Sequence, residues 1–567
     1  MGEGKTEAGM YAALQMARSA EKDGFYVALP TAATSNQMVL RMRELLELHD
    51  LSGRIRLLHS MAWLSDAEEI DSPDETDEVA RWLAPARRAL LGQYAVGTVD
   101  QAMLAATNVR YGVLRLLGLS NKVLLIDEIH SYDAYMSEIL IHLLEWCRAL
   151  EIPVVMLSAT LPPAAKAKLL APYTNERLSD GYPLLTAVRT DGAVTERIVE
   201  KTDHALTVSV QLHPLLGDPA GIAALAADRV REGGCLCVLM NTVREAQEVY
   251  RALRTIYDGE LLLFHAQFPA GQRDEIEKRC LRLYGKEKRG RPKRSILVCS
   301  QVVEQSLDVD FDAMITAVAP IDLVIQRMGR VFRHGDSPRP KTMSAPSQWI
   351  LIPQEQEGFG PSAFVYPECL LRRTVDLLSG VSRVRIPEDI AGLVRDGYDP
   401  ARVPEDELKE WMEAQVREQV QAAASQQYLL LPPDKLFSPL GGVIQYEDDE
   451  EMGYLSAKTR LGEPTVRIAL LEQDEIRRLE PFLDRKDGER RVRIRNRTLA
   501  EMVMKKSVSV RTSRLGDPGE APEHIRGDGL LSGVRIYPAR GSVCRLENGK
   551  VIRFDEELGL LIEDGEK

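Results

Sequence analysis

The chain has 567 residues, 44% of them hydrophobic, 28% charged and only 6% aromatic, with 72 Lys plus Arg against 85 Asp plus Glu. At roughly 150 residues per domain this length predicts about three to four domains, which excludes a single small binding module, and the ordinary apolar and charged content excludes a disordered, collagen-like or disulfide-built chain. The formal net charge of -13 excludes a binder that grips polyanions through a bulk basic excess, while leaving room for a local basic groove.

The first residues, Gly2-Glu-Gly4-Lys5-Thr6, predict a phosphate-binding loop. Gly2 and Gly4 free the backbone N–H groups to wrap phosphate oxygens, Lys5 reaches the outer phosphates, and the Thr6 hydroxyl ligates magnesium. Met1-Gly2 with Thr6 also fits a literal myristoylation pattern, which the loop reading displaces. A helix is expected over 7–18. Such a loop normally follows a buried strand in the middle of a parallel sheet, and no residues are present for it. The chain therefore reads as a fragment, as one started at an internal Met, or as one completed by another chain.

A buried strand is expected at 25–29, ending in Pro30-Thr31, with a helix over 36–48 and a solvated acidic loop over 66–78. Apolar runs at 122–126 and 154–157 predict two more strands, each with a polar tip. Strand, tip and helix in alternation indicate an α/β parallel sheet. From about Leu206 a second set begins, with strands at 235–240, 261–264, 295–299 and 313–318 and helices at 243–256 and 272–284. The six basic residues of 286–294 predict a mobile solvated loop, and 405–426 a charged connecting helix. Short alternating stretches such as 465–470 predict a small final domain of mixed or mainly β character. The expected division is 1–205, 206–355, 356–426 and 427–567. Seven Cys without a Cys-x-x-Cys pair suggest packed thiols in a reducing cytoplasm, and no apolar run reaches the roughly 18 to 20 residues that span a membrane.

The strand over 122–126 delivers Asp127-Glu128-Ile129-His130. For nucleotide hydrolysis, Asp127 at the tip can hold magnesium and Glu128 can activate the attacking water. Ser158 and Thr160, at the next tip, suit a relay of nucleotide state between domains, beside the plainer reading of a helix cap. Gln326-Arg-Met-Gly-Arg-Val-Phe-Arg333 spaces three Arg by three residues. On a helix Arg327, Arg330 and Arg333 would share one face and point into one cleft as arginine fingers. His49-Asp50 is the only His-Asp pair and reads as surface, since no further metal spacing surrounds it.

In this order the motifs resemble superfamily 2 helicases over roughly the first 335 residues. The resemblance implies ATP and magnesium held between two RecA-like domains, with Asp308 among the nucleotide-binding residues and Gln326, Arg330 and Arg333 catalytic. It also implies that Thr31, Thr98 and Gln101 in the first domain, and Asn241, Thr242, Ser300 and Gln301 in the second, contact nucleic acid. More narrowly, Asp127-Glu-Ile-His-Ser-Tyr-Asp133, Gln301-Val-Val-Glu-Gln-Ser-Leu-Asp308 and Gln326 to Gly335 resemble the CRISPR-associated helicase-nuclease of type I systems. Thr459-Arg-Leu-Gly-Glu463 and Phe554-Asp-Glu-Glu-Leu-Gly-Leu560 resemble that family's accessory C-terminal domain in its Cascade-recruited subtype.

The fold implied is α/β, with two tandem RecA-like parallel-sheet domains, the first lacking its first strand, plus the accessory domain. The activity implied is ATP-driven 3′ to 5′ translocation on the displaced single DNA strand. Recruitment by the guide-RNA Cascade complex and delivery of the strand to an HD nuclease, here absent or carried on an upstream chain, complete the expectation. A superfamily 2 RNA helicase and an inactive truncated remnant are the alternatives.

Overall fold

In the computed structural model the described residues are 4–49, 55–58, 89–109, 112–199, 205–305, 307–354, 357–405, 407–436, 459–461, 463–486, 489–494, 496–516 and 524–564. Gly2, the acidic stretch 66–78 and the acidic run 447–451 lie outside them.

Helix α1 (Lys5–Ser19) is built from good helix formers, with Glu7 in its first turn and Arg18 in its last, each complementing the helix dipole. Met10, Ala13, Leu14 and Ala17 fall three or four residues apart and form its buried stripe. The stripe packs against strand β1 (Gly24–Leu29). Helix α2 (Ala32–Leu48), β2 (Ile55–Leu58), β3 (Tyr94–Thr98), helix α3 (Val99–Met103) and β4 (Lys122–Ile126) follow, then helix α4 (Ala134–Ala149) and β5 (Val154–Met156). The five strands form one all-parallel sheet in the order β2-β3-β1-β4-β5.

Every residue of β1 and β4 is buried, because helices cover both faces; this is why the two strands read as unbroken apolar runs. Phe25 and Val27 enter the core shared with α1 and α2, whereas Tyr26 and Ala28 enter the core shared with α4. Side chains such as Phe25 and Val27 each contribute about 1.5–3 kcal/mol through burial. Register pairs Leu29 with Thr98 and Ala28 with Ile126, so the polar residues after β1, β3 and β4 emerge together at one edge. Beside β5, Gly9 of α1 lies so close to the chain that an added Cβ would meet Leu157 Cδ1 at 2.7 Å.

An antiparallel hairpin, β6 (Leu184–Val188) with β7 (Val194–Ile198), precedes the second sheet. That sheet comprises β8 (Leu206–His213), β9 (Gly234–Leu239), β10 (Glu260–Phe264), β11 (Arg294–Cys299), β12 (Ala313–Ala317), β13 (Ser347–Leu351) and β14 (Arg383–Ile386). The order is β10-β11-β9-β12-β13-β8-β14, parallel except for the last pair. Helices α5 (Val243–Ile256), α6 (Ala270–Tyr284) and α7 (Ile321–Met328) connect its strands.

The long helix α8 (Leu408–Ser425) returns to the first sheet and packs along α4. Past it, Tyr428 and Leu430 hydrogen-bond the backbone of Asn108 and Ala106. The C-terminal region carries a mixed six-stranded sheet, β15 (Thr465–Leu471), β16 (Leu483–Lys486), β17 (Glu489–Ile494), β18 (Ser507–Arg511), β19 (Ile525–Gly529) and β20 (Val534–Pro538). A three-stranded antiparallel sheet, β21 (Val543–Arg545), β22 (Lys550–Asp555) and β23 (Gly559–Asp564), completes it.

One expectation is corrected within the second sheet. The basic stretch 286–294 is not simply a solvated loop, because Arg291 is buried between Asp310 and Asp312, at 3.4 and 2.7 Å, beside Arg339. Burying two carboxylates requires matched cations, and the stretch supplies one of them. All seven cysteines are free and buried. Among the described residues no helix is long and apolar enough to cross a membrane.

Candidate functional site

Gly4 caps α1 in the left-handed conformation, φ +69°, placing Lys5 and Thr6 in the first turn, where backbone N–H groups and the positive helix end suit phosphate. Across from it the Thr6 hydroxyl approaches Asp127 Oδ2 at 3.5 Å. Asp127 follows β4 directly, held by its N–H to the Ala28 carbonyl at 3.0 Å. Burial first, and the neighbouring Glu128 charge second, push its carboxyl up to about 6, against the pull of Lys5. Glu128 itself adopts a left-handed backbone, φ +54°, uncommon for a non-glycine residue, and its N–H returns to Asp127 Oδ1 at 2.8 Å.

His130 links this pair to the second sheet. Its Nε2 stands 3.2 Å from Glu128 Oε2 and its Nδ1 3.1 Å from Ser158 Oγ, while burial lowers its pKa. Ser158 Oγ donates to the Thr160 carbonyl at 2.7 Å, and Gln326 Nε2, from α7, donates to Thr160 Oγ1 at 3.2 Å. The expected relay residues Ser158 and Thr160 thus join Glu128 to Gln326 through one chain of polar contacts across the two sheets.

The three arginines do not share one face. Helix α7 stops at Met328, Gly329 caps it, and Val331 pairs with Phe311, so the three-residue spacing is not carried through on a helix. Arg327 is fully buried and donates to Glu304 Oε1 at 2.6 Å, Thr316 Oγ1 and the Ala317 carbonyl at 2.7 Å each, and Asn241 Oδ1 at 3.1 Å. It holds the second domain together and is withdrawn from the cleft. Arg330 donates to the Leu307 carbonyl at 2.6 Å and to the Glu304 carbonyl. Burial, and then Arg333, lower it to about 10, while Glu128 across the cleft pulls the other way. Arg333 Nε bonds Asp308 Oδ1 at 2.6 Å, an oxygen that also lies 3.1 Å from His334 Nε2. Burial opposes ionisation of Asp308, but His334 and Arg333 outweigh it and hold the carboxyl far below the usual range. Asp308 therefore orients Arg333 in this structure, a different duty from direct nucleotide contact.

Thr31, Thr98 and Gln101 gather at the carboxyl edge of the first sheet. Thr98 precedes α3 without a side-chain cap bond, its carbonyl fixed by Tyr26 Oη at 2.8 Å, and Gln101 Oε1 accepts from Arg115 at 3.4 Å. In the second domain Asn241 and Ser300 are tied inward, while Thr242 and Gln301 stay half-exposed. Asn241 is buried, its amide donating to the Val318 carbonyl at 2.7 Å and Ser362 Oγ at 2.9 Å, so it supports the edge from within. The Thr242 hydroxyl closes a capping box with Glu245 on α5. Ser300 is buried, and Gln301 Nε2 donates to the Asn241 carbonyl at 2.6 Å. Sequence reasoning missed Asp100, Tyr132, Glu304 and Arg460 as positioning groups. Each sits inside a recognised motif, but nothing in the linear pattern says what it touches.

A phosphate loop, an Asp-Glu-x-His strand tip and arginines from a second parallel sheet, joined by a polar relay, define an ATP-dependent helicase core. Residues 1–168 match the DEAD/DEAH box helicase family, and 232–336 match the C-terminal part of the CRISPR-associated nuclease/helicase Cas3. The CRISPR-associated endonuclease/helicase Cas3 of Thermus thermophilus is 33% identical over 650 residues, covering 99% of this chain and 68% of that protein. The crystal structure of T. fusca Cas3 with AMPPNP superposes with a TM-score of 0.84 at 31% identity, covering 99% of this chain and 67% of that one. A chain of a CRISPR RNA-guided surveillance complex in a pre-nicking state gives 0.74 at 28% identity, with coverage of 99% and 67%. The chain belongs to the Cas3 family, and it spans about two thirds of the length of these relatives.

Proposed function

We propose that the chain is the ATP-driven motor of type I CRISPR interference, pulling the displaced single DNA strand 3′ to 5′ after recruitment by the guide-RNA Cascade complex. The observation that carries this reading is the contact of Gln326 with Thr160, 3.2 Å across the two sheets, at the end of the path from Glu128 through His130 and Ser158. A hydrolysis site wired to the opposing domain is what a translocating motor requires.

In this reading Gly4, Lys5 and Thr6 hold phosphate, Glu128 orients the attacking water, and Gln326, Arg330 and Arg333 close the site from the second domain. Bound magnesium would neutralise charge on the phosphates. Among the described residues no cluster of three or more His, Cys, Asp or Glu could hold a metal. One carboxylate, Asp127, with the Thr6 hydroxyl and substrate phosphates fits the sparse protein ligation usual for this ion. Thr31, Thr98 and Gln101 would grip the strand from the first domain, and Thr242 and Gln301 would face it from the second.

Residues 1–205 and 206–355 would be the motor domains, 356–426 the connector and 427–567 the accessory domain, working in the cytoplasm. The similarity to a chain of the RNA-guided surveillance complex supports the recruitment step. ATP hydrolysis with magnesium, measured with and without single-stranded DNA, tests the reading: stimulation by DNA is expected, and stimulation by RNA alone would replace it with an RNA helicase.

A further inference from the structure

Arg460 lies 360 residues from Asp100 in sequence, yet its side chain is spent on the tips of the first sheet. Its Nε and one terminal nitrogen grip the two carboxylate oxygens of Asp100 at 2.9 Å each, and the same terminal nitrogen donates to the Pro30 carbonyl at 2.7 Å. Thr459 Oγ1 adds a bond of 2.6 Å to Asp100 Oδ1. Asp100 stands between Thr98 and Gln101, and Pro30 immediately precedes Thr31. One guanidinium therefore ties the turn that presents Thr31 to the β3–α3 junction that presents Thr98 and Gln101.

The geometry is not that of an ordinary surface pair, which contributes little to stability. A fork held by two carboxylate oxygens and a carbonyl fixes position as well as charge. Burial alone would raise the Asp100 carboxyl, yet the bonds from Arg460 and Thr459 hold it below its usual range.

Two further contacts say what such positioning could serve. Tyr132, in the hydrolysis motif, donates its hydroxyl to the Asp127 carbonyl at 3.0 Å and feels the charges of both Arg460 and Asp100. The region that carries Arg460 also holds the second domain. Gln247 Nε2 and His265 Nε2 contact the Leu558 carbonyl at 2.7 and 3.1 Å, and the Leu560 N–H donates to the Gln267 carbonyl at 2.9 Å.

We propose that Arg460 is a positioning residue through which the C-terminal region sets the spacing between the 30–31 turn and the Thr98–Gln101 start of α3, so that a single DNA strand lying on them stimulates hydrolysis. This inference rests on the motor reading above. With the two clasped, Thr31 and Gln101 are held at one separation, matched to one stretch of backbone. Unclasped, the 30–31 turn would be free to shift relative to the start of α3, and the strand would have to restore their separation on binding.

The test is ATP hydrolysis by the whole chain titrated with oligothymidylate, for wild type, Arg460→Ala, Arg460→Lys and Asp100→Asn. Arg460→Ala should raise the half-maximal oligonucleotide concentration at least roughly fivefold, the low end of site-to-site couplings, with the DNA-free rate and the melting temperature unchanged. Arg460→Lys, which keeps the charge and loses the fork, should recover part of that shift. Asp100→Asn should move it in the same direction as alanine. An Arg460→Ala titration that overlies wild type overturns the clasp and leaves the motor reading intact. Equal losses in DNA-free rate, melting temperature and DNA response would make Arg460 merely structural and overturn it too. If oligothymidylate fails to stimulate the wild-type chain, the motor reading itself falls, and the clasp with it.

Discussion

Glu128 combines a left-handed backbone with a carboxylate 3.2 Å from His130, and its role can be separated from that of neighbouring Asp127 by an isosteric change. Glu128→Gln keeps shape and removes the base, so hydrolysis should fall by about 10²- to 10⁴-fold in a steady-state phosphate-release assay while nucleotide affinity persists. The arginines divide in the same manner. Arg327→Ala strands Glu304 in the interior and should cost about 3–5 kcal/mol in denaturant unfolding of the second domain. Arg333→Ala leaves Asp308 with His334 as a partner, so it should cost less in that unfolding than Arg327→Ala, and should lower the hydrolysis rate by about 10³-fold or more, as arginine-finger losses do. The spacing of the three arginines was legible in the sequence. Their divergence was not, because it depends on the stop of α7 at Met328 and on the pairing of Val331 with Phe311.

At the level of elements, the turn between β22 and β23 docks on the second sheet through His265. Its Nε2–H donates to the Leu558 carbonyl, and its Nδ1 accepts from the Gln267 N–H at 3.2 Å, so the buried ring is neutral and a second proton has no acceptor. Burial lowers its pKa to about 4, against an ordinary value of 6.5. An unfolded chain thus binds a proton below about 6.5 that the folded chain refuses until about 4. The resulting stability, on the order of 3 kcal/mol, is fully present above pH 6.5 and drains away as pH falls toward 4. Thermal melting of the wild type should drop between pH 7 and 5, and His265→Gln, which cannot charge, should flatten that drop. Gly559 belongs to the same contact, since its φ is +72° and an added Cβ would meet the Gln267 carbonyl at 2.8 Å. The sequence offered the motif around Leu558 without its partner, because docking partners are set by tertiary packing and not by local pattern.

Across the whole molecule, legibility followed burial. Strands covered on both faces, such as β1, β4, β9 and β11, read as continuous apolar runs and were placed within a residue or two. The half-exposed hairpin of β6 and β7 and the short alternating β14 gave no comparable signal, whereas the buried apolar run of β13 was there to be read and was missed. The Asp127-Glu128 motif was legible for the same reason, being a polar tip on the buried strand β4. The inward-turned Asn241 and the structural Arg291 were not, because a polar residue looks the same in sequence whether it faces solvent or satisfies a buried partner. The acidic net charge of -13 fits this architecture, in which contact with the strand is assigned to a few loop residues and backbone groups at sheet edges.

In the proposed reading the hydrolysis residues after β4 and the strand-gripping residues after β1 and β3 lie on neighbouring tips of the first sheet, so the coupling between them is the central claim. Steady-state ATP hydrolysis by the whole chain with magnesium, titrated separately with oligothymidylate and oligouridylate, measures it most directly. The predicted result is a rate that rises with DNA, responds weakly to RNA, and is abolished by Lys5→Ala or Glu128→Gln. A rate indifferent to DNA, driven by RNA instead, or unaffected by Glu128→Gln would contradict it.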